Sequence, residues 1–152
     1  MLERIRRFLT EISGESEDKV AVGEDEIQLA AAALLFHVVA VDGVVSDAEC
    51  VMLINLLARR FGLEPAEAKS LVKAAEVADA EAIDLYGFTS VLKRRLEEVD
   101  RERIVEMMWK LVYADGTVHE FEDNVVWRVA ELLGVPTQAR IRLKQTVRDN
   151  AS

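Results

Sequence analysis

Apolar residues recur along this chain at intervals of three and four, the spacing of one face of an α-helix. This pattern predicts an amphipathic helix near 2–12, a polar linker over 13–23, and seven further helices. Those seven lie near 25–41, 47–61, 65–78, 89–98, 101–114, 120–133 and 138–149. The stretch 79–88 fits no single element. Because strand alternation and hairpin turns are missing from the sequence, we predict an all-α bundle of about seven to eight helices.

Two of the predicted helices, 25–41 and 101–114, are apolar nearly all round. A helix with this distribution is expected at the centre of a bundle, because every one of its faces needs a packing partner. The basic stretch 140–148 is instead expected to form an outer helix with solvated arginines. The two prolines, Pro65 and Pro136, each follow a glycine that ends an apolar-periodic segment, as is common just after a helix.

The two apolar helices begin two copies of an internal repeat, in which Asp115 follows Asp42 at an offset of 73 residues. Residues 34–49 align with residues 107–122, so that the Asp-Gly pair and a later glutamate recur in both. Each copy contains a buried helix, a short turn whose glycine suits the left-handed conformation, and a second amphipathic helix. We predict two such helix–Asp-Gly turn–helix hairpins packed around a pseudo-two-fold axis.

Charge narrows the range of functions. The chain has 28 acidic and 19 basic residues, a net charge of −9. Residues 1–9 carry +2 and residues 137–152 carry +3, which leaves −14 on residues 10–136. Such a body repels phosphate, which argues against nucleic-acid binding as the main function. With no apolar run near the roughly 18 residues of a membrane span and a single cysteine, Cys50, we expect a cytoplasmic protein.

The repeated motif resembles that of the tellurite-resistance TerB-like family, Ala-Asp-Gly-x-[Val/Ile]-x-x-x-Glu. The first copy reads Val-Asp-Gly-Val-Val-Ser-Asp-Ala-Glu over 41–49, and the second reads Ala-Asp-Gly-Thr-Val-His-Glu-Phe-Glu over 114–122. The similarity extends over about 25–150 and is greatest to stand-alone, uncharacterised members. It implies an all-helical fold, a metal-binding role for the repeated acids, and docking near membrane-associated stress-response complexes.

The candidate metal ligands are the repeated carboxylates. They are Asp42, Glu49, Asp115 and Glu122, with Asp47 and Glu120 as additional candidates. Oxygen ligands of this kind suit a divalent cation of the calcium or magnesium class. The alternative is purely structural, because Ser46 and Glu49 match a capping box and acids at helix starts are favoured by the helix dipole. An EF-hand is excluded, since loop positions 3 and 12 are Val44 and Leu53.

No constellation in the sequence supports catalysis, and we expect a non-enzymatic protein. His37 falls within an apolar helix and is expected to be buried or half-buried rather than a ligand, while His119 falls at a turn. Cys50 is expected to be a small packing residue, and Trp109 and Trp127 to fill the core. Phosphate-binding glycine loops and nucleophile elbows are absent from the sequence.

The predicted helix over 2–12 places Arg4, Arg6 and Arg7 opposite an apolar face. We therefore divide the chain into 1–23, a basic helix plus acidic linker, and 24–152, a TerB-like helical domain. The leading hypothesis is a cation-binding or protein-docking module with an unidentified, membrane-associated partner, and a homodimer is compatible with it. The alternative is a peripheral module at the inner membrane surface that acts through the N-terminal helix, with purely structural acidic turns.

Overall fold

The computed structural model describes residues 19–41, 45–114 and 120–151, and within these ranges the chain is all-helical. Seven helices and no strands are present in this part of the chain, which confirms the predicted fold class. The helices are α1 (Lys19–Ala40), α2 (Asp47–Phe61), α3 (Pro65–Glu81), α4 (Tyr86–Arg95), α5 (Glu98–Val112), α6 (Glu120–Leu132) and α7 (Thr137–Ala151).

The first described helix starts earlier than the sequence pattern indicated. Helix α1 begins at Lys19 rather than near residue 25, so residues 19–23 are helical and not part of a linker. This stretch contains no proline, and its one glycine, Gly23, costs a helix only about 1 kcal/mol. The predicted helix over 2–12 lies outside the described residues, and the proposed division at residue 23 stays a prediction.

The ambiguous stretch 79–88 is resolved into a helix end, a short connection and a helix start. Helix α3 continues to Glu81, and α4 begins at Tyr86. The carboxylate of Asp84 accepts a hydrogen bond from the backbone N–H of Tyr86 at 3.0 Å. A short polar side chain before a helix thus satisfies one of the backbone donors that the helix start leaves free.

Helices α1 and α5 form the centre of the bundle, as predicted. Helix α1 packs against α2, α3, α4, α5 and α6, and α5 packs against α1, α2, α6 and α7. The middle of α1 is buried on every side, and its core residues are Ala30, Ala31, Ala32, Ala33, Leu34, Leu35, Val38 and Val39. Four consecutive alanines allow neighbouring helices to approach α1 from several directions.

Two ion pairs establish how the helices are oriented. Glu26, early in α1, pairs with Arg95 at the end of α4 (3.2 Å), and α5 begins three residues later. The Nδ1 atom of His37, in the last turn of α1, lies 2.8 Å from Oδ1 of Asp79 near the end of α3. Helices α1, α3 and α5 therefore end at the same end of the bundle, where α2, α4 and α6 begin. We call this end the turn end.

In the sequence one Asp-Gly pair comes between α1 and α2 and the other between α5 and α6, and the helices that flank both pairs meet at the turn end. The second helix of each repeat also packs against the first helix of the other, since α6 contacts α1 and α2 contacts α5. Two hairpins related by a two-fold axis would contact each other in this reciprocal way. The pseudo-two-fold relation itself stays a prediction.

Candidate functional site

Helix α2, which starts at the turn end, begins with a complete capping box. The backbone N–H of Ser46 donates to Oε1 of Glu49, and the backbone N–H of Glu49 donates to Oγ of Ser46, both at 3.1 Å. This reciprocal pair satisfies two N–H groups that have no partner within the helix. The predicted capping role of Ser46 and Glu49 is confirmed.

Glu49 is far more buried than capping requires. Its side chain is in the core, at 5% exposure. Helix α3 begins with the same arrangement, in which the backbone N–H of Glu64 donates to Oε1 of Glu67 at 3.1 Å, yet Glu67 is exposed. Because the two capping boxes make the same backbone hydrogen bond, the burial of Glu49 has another origin than the helix start.

The repeat-related glutamate in the second copy is buried as well. Glu122 is the third residue of α6, as Glu49 is the third residue of α2, and it is 2% exposed. Among the residues that the structure describes, Glu49 and Glu122 are the only acidic side chains in the core. The duplicated sequence motif therefore coincides with duplicated burial of a carboxylate.

In the second copy, aromatic and cationic side chains pack between the helices. The ring of Trp109 is fully buried and meets the ring of Trp127 edge-on, with centroids 6.2 Å apart. Nζ of Lys144 lies 5.0 Å from the Trp109 ring centroid and 2.7 Å from Oδ1 of Asp123. A cation placed over an aromatic face is attracted by the negative charge density of the ring. This cluster links α5, α6 and α7.

Comparison with known proteins gives the family. The family model described as Tellurite resistance protein TerB matches residues 28–145, which include both copies of the repeat. The chain belongs to the TerB family. No curated protein matches its sequence.

The TerB fold of this chain also recurs in a solved structure. A crystal structure of a protein of unknown function from Porphyromonas gingivalis W83 superimposes with a TM-score of 0.59 at 18% sequence identity. The match covers 82% of this chain and 95% of the other. At this identity the likeness extends to the fold alone.

The predicted metal ligands of this TerB-family chain are only partly within the described residues. Asp42 and Asp115 lie outside them, while Asp47 and Glu120 are exposed in the first turns of α2 and α6. Within the described ranges, no three or more His, Cys, Asp or Glu side chains form a group that could hold a metal ion. A site with three or more such ligands would therefore need residues from outside the described ranges, such as Asp42 or Asp115, and the predicted site stays a prediction.

The remaining candidates have structural roles where they are described. His37 is half-buried, as expected, and pairs with Asp79, a partner 42 residues away that no local pattern indicates. Cys50 is a half-buried free thiol. His119 lies outside the described residues. None of the described helices of this TerB-family chain has the length and apolar content needed to cross a bilayer.

The expectation that the arginines of 140–148 are solvated is wrong for Arg140. The Nε–H of Arg140 donates to the carbonyl of Val135 at 2.7 Å, and its guanidinium lies 5.8 Å from the centroid of Trp127. Lys144 contacts Trp109 and Asp123 as described above. The helical pattern places both residues on the edge of an apolar face, but the aromatic partners come from other helices and cannot be identified from that pattern.

Proposed function

We propose that this TerB-family domain is a non-enzymatic module that binds a divalent cation of the calcium or magnesium class at its Asp-Gly turns. The proposed ligands are the repeated acids Asp42, Glu49, Asp115 and Glu122, with Asp47 and Glu120 adding negative charge nearby. The observation that carries the proposal is the burial of both repeated glutamates, at 5% and 2% exposure.

A buried carboxylate loses favourable hydration, at a cost of several kcal/mol, unless hydrogen bonds or an opposite charge compensate it. In the capping box only Oε1 of Glu49 accepts the Ser46 N–H, so this hydrogen bond leaves the other carboxylate oxygen available as a ligand. A hard divalent cation prefers such oxygen ligands and would compensate the buried charge. Glu122, at the matching position of the second copy, is buried to a similar degree.

The turns supply too few carboxylates for each to complete a cation site alone. Each contributes one aspartate and one buried glutamate, whereas calcium takes about six to eight oxygen ligands. The other ligands would be backbone carbonyls, water, or acids of the second turn, which connects helices at the same end of the bundle. Cation occupancy would then alter the charge of the turn end that a protein partner contacts.

Calorimetric titration of the full chain with calcium and, separately, magnesium tests the proposal, with thermal unfolding as a second readout. At a cation concentration of 100 times Kd, binding to the folded state alone adds about 2.7 kcal/mol of stability. The double variant Asp42→Asn, Asp115→Asn is expected to abolish both the binding heat and the stabilisation.

A matched control removes the same amount of charge elsewhere. Glu76 and Glu81 are exposed on α3, and their double replacement by Gln should leave binding unchanged. Absence of binding to the unaltered chain would overturn the proposal. Equal weakening in the two double variants would also overturn it, because it would indicate attraction to the general negative field rather than to the turns.

A further inference from the structure

The turn end exposes an unusual share of large apolar side chains. Ile83 is 100% exposed, Phe121 67%, Tyr86 66% and Val45 40%. Single exposed apolar residues are ordinary on a protein surface, but their accumulation in one region marks interaction sites. Each of these four residues stands at or just before the start of a helix at the turn end.

Three of these residues lie on neighbouring elements of the fold. Tyr86 and Phe121 occupy the first turns of α4 and α6, two helices that contact one another. Ile83 belongs to the short connection that leads into α4. We call Ile83, Tyr86 and Phe121 the apolar rim of the turn end.

Exposed carboxylates accompany the apolar rim. Glu81 and Asp84 lie on either side of Ile83 in the sequence, and Glu120 precedes Phe121. The side chains of these three acids are exposed. A surface that combines apolar side chains with acids is complementary to a helix that has one apolar face and one basic face. It offers little to nucleic acid or to an anionic lipid surface, because both carry negative charge.

The chain itself contains a segment of this chemistry. Over 2–12 the sequence predicts a helix with an apolar face opposite three arginines. The apolar face consists of Leu2, Ile5, Phe8, Leu9 and Ile12, and the arginines are Arg4, Arg6 and Arg7. We propose that residues 2–12 of one copy of this chain dock on the apolar rim of a second copy.

Chain length argues for a second copy rather than the same molecule. Helix α1 starts at the end opposite the turn end. Arg95 pairs with Glu26, seven residues into α1, and Tyr86 precedes Arg95 by nine residues in α4, so Tyr86 is about 24 Å from Lys19 along the bundle. The chain from Ile12 to Lys19 covers at most about 25 Å when fully extended. Docking on the rim of its own molecule would therefore require residues 12–19 to be almost fully extended, whereas docking on a second copy requires no such extension. Two copies that exchange this segment reciprocally form a closed dimer.

Sedimentation velocity of the full chain over a range of concentrations, in EDTA, tests this docking independently of cation binding. A rim variant, Ile83→Ser with Phe121→Ser, and a segment variant, Ile5→Ser with Phe8→Ser, should each self-associate at least tenfold more weakly than the unaltered chain. The control variant Val99→Ser with Ile141→Ser changes two exposed apolar residues away from the rim and should associate like the unaltered chain.

Mixing the two defective variants distinguishes this docking from a symmetric contact. A one-to-one mixture pairs an intact segment with an intact rim, so dimers should reappear. A monomeric unaltered chain, unchanged association in either variant, or no recovery in the mixture would overturn the proposal. Binding of the monomer to anionic vesicles through Ile5 and Phe8 would overturn it as well, because the segment would then serve a membrane surface.

Discussion

The two copies of the repeat share a motif but are supported by different kinds of packing. In the first copy, α1 is lined by alanines and surrounded by five helices, and its following turn leads into a capping box. In the second, α5 carries Trp109 in its core, contacted by Trp127 and Lys144. The residue equivalent to Trp109 in the first copy is Phe36, which is only half-buried.

This difference shows that the same sequence motif occurs next to two cores that are packed with different kinds of side chain. The first helix of one copy is packed through small side chains, and that of the other is packed through large rings. What the two copies have in common at the turn end is a glutamate buried at the same position of each second helix. A feature that persists while its surroundings change is the one expected to carry function.

Removing the large aromatic side chain of each copy is expected to give the largest difference between the copies in the free energy of unfolding. Trp109→Ala should lower the free energy of unfolding by about 3–5 kcal/mol, because it leaves a cavity in the core. Phe36→Ala should cost roughly half as much, since its side chain already contacts solvent. Urea denaturation monitored by circular dichroism measures both.

A milder variant checks the interpretation. Trp109→Phe reproduces the residue of the first copy and removes an indole N–H that has no hydrogen-bond partner among the described residues. It should destabilise clearly less than Trp109→Ala. Equal losses for Phe36→Ala and Trp109→Ala would contradict the proposed contrast between the copies.

Variants at the start of the second helix of each copy should change the free energy of unfolding by a smaller amount. Ser46→Ala removes the side-chain acceptor of the capping box and should cost about 1 kcal/mol, measured by the same denaturation. Ser46→Asn keeps an acceptor and should be nearly neutral. The second copy has His119 at the equivalent position, and histidine is a poorer cap, so His119→Ala should cost less than Ser46→Ala. A larger loss at His119 would reverse this ranking.

The smallest change in the free energy of unfolding is expected from removing the lysine cation that lies over the ring of Trp109. Lys144→Met should cost at most about 1 kcal/mol, because its contacts with Trp109 and Asp123 are partly open to solvent. High salt should reduce the difference from the unaltered chain. Arg142→Met, which removes a more exposed pair with Glu102, is the control and should be close to neutral. A larger loss for Arg142→Met would show that the aromatic contact contributes nothing.

Much of the architecture could be predicted from the sequence because it depends on local patterns. Helical periodicity identified α1 and α5 as the central helices, and it placed α2 at 47–61, where the structure has it. The capping box of Ser46 and Glu49 was also predictable, since its partners are three residues apart. The early start of α1 at Lys19 was not, because glycine and acidic residues favour a linker in the absence of tertiary contacts.

Other features depend on distances in space that the sequence does not encode locally. The partner of His37 is 42 residues away, and that of Arg60, Asp100, is 40 residues away. The motif indicated that Glu49 and Glu122 cap helices or bind a cation, but it did not indicate their burial. Burial results from neighbouring helices that approach the turn end, and this approach is a property of the whole bundle.

The order of the helices along the chain affects how the protein is made. Helix α1 is the first described helix to be synthesised, yet it packs against partners as late in the sequence as α6, which ends at Leu132. Until that residue has left the ribosome, the most apolar helix of the nascent chain lacks part of its cover. Exposed apolar surface of this kind promotes aggregation and attracts chaperones. A central helix that precedes its packing partners in the chain thus delays completion of the core until the last of those partners has been synthesised.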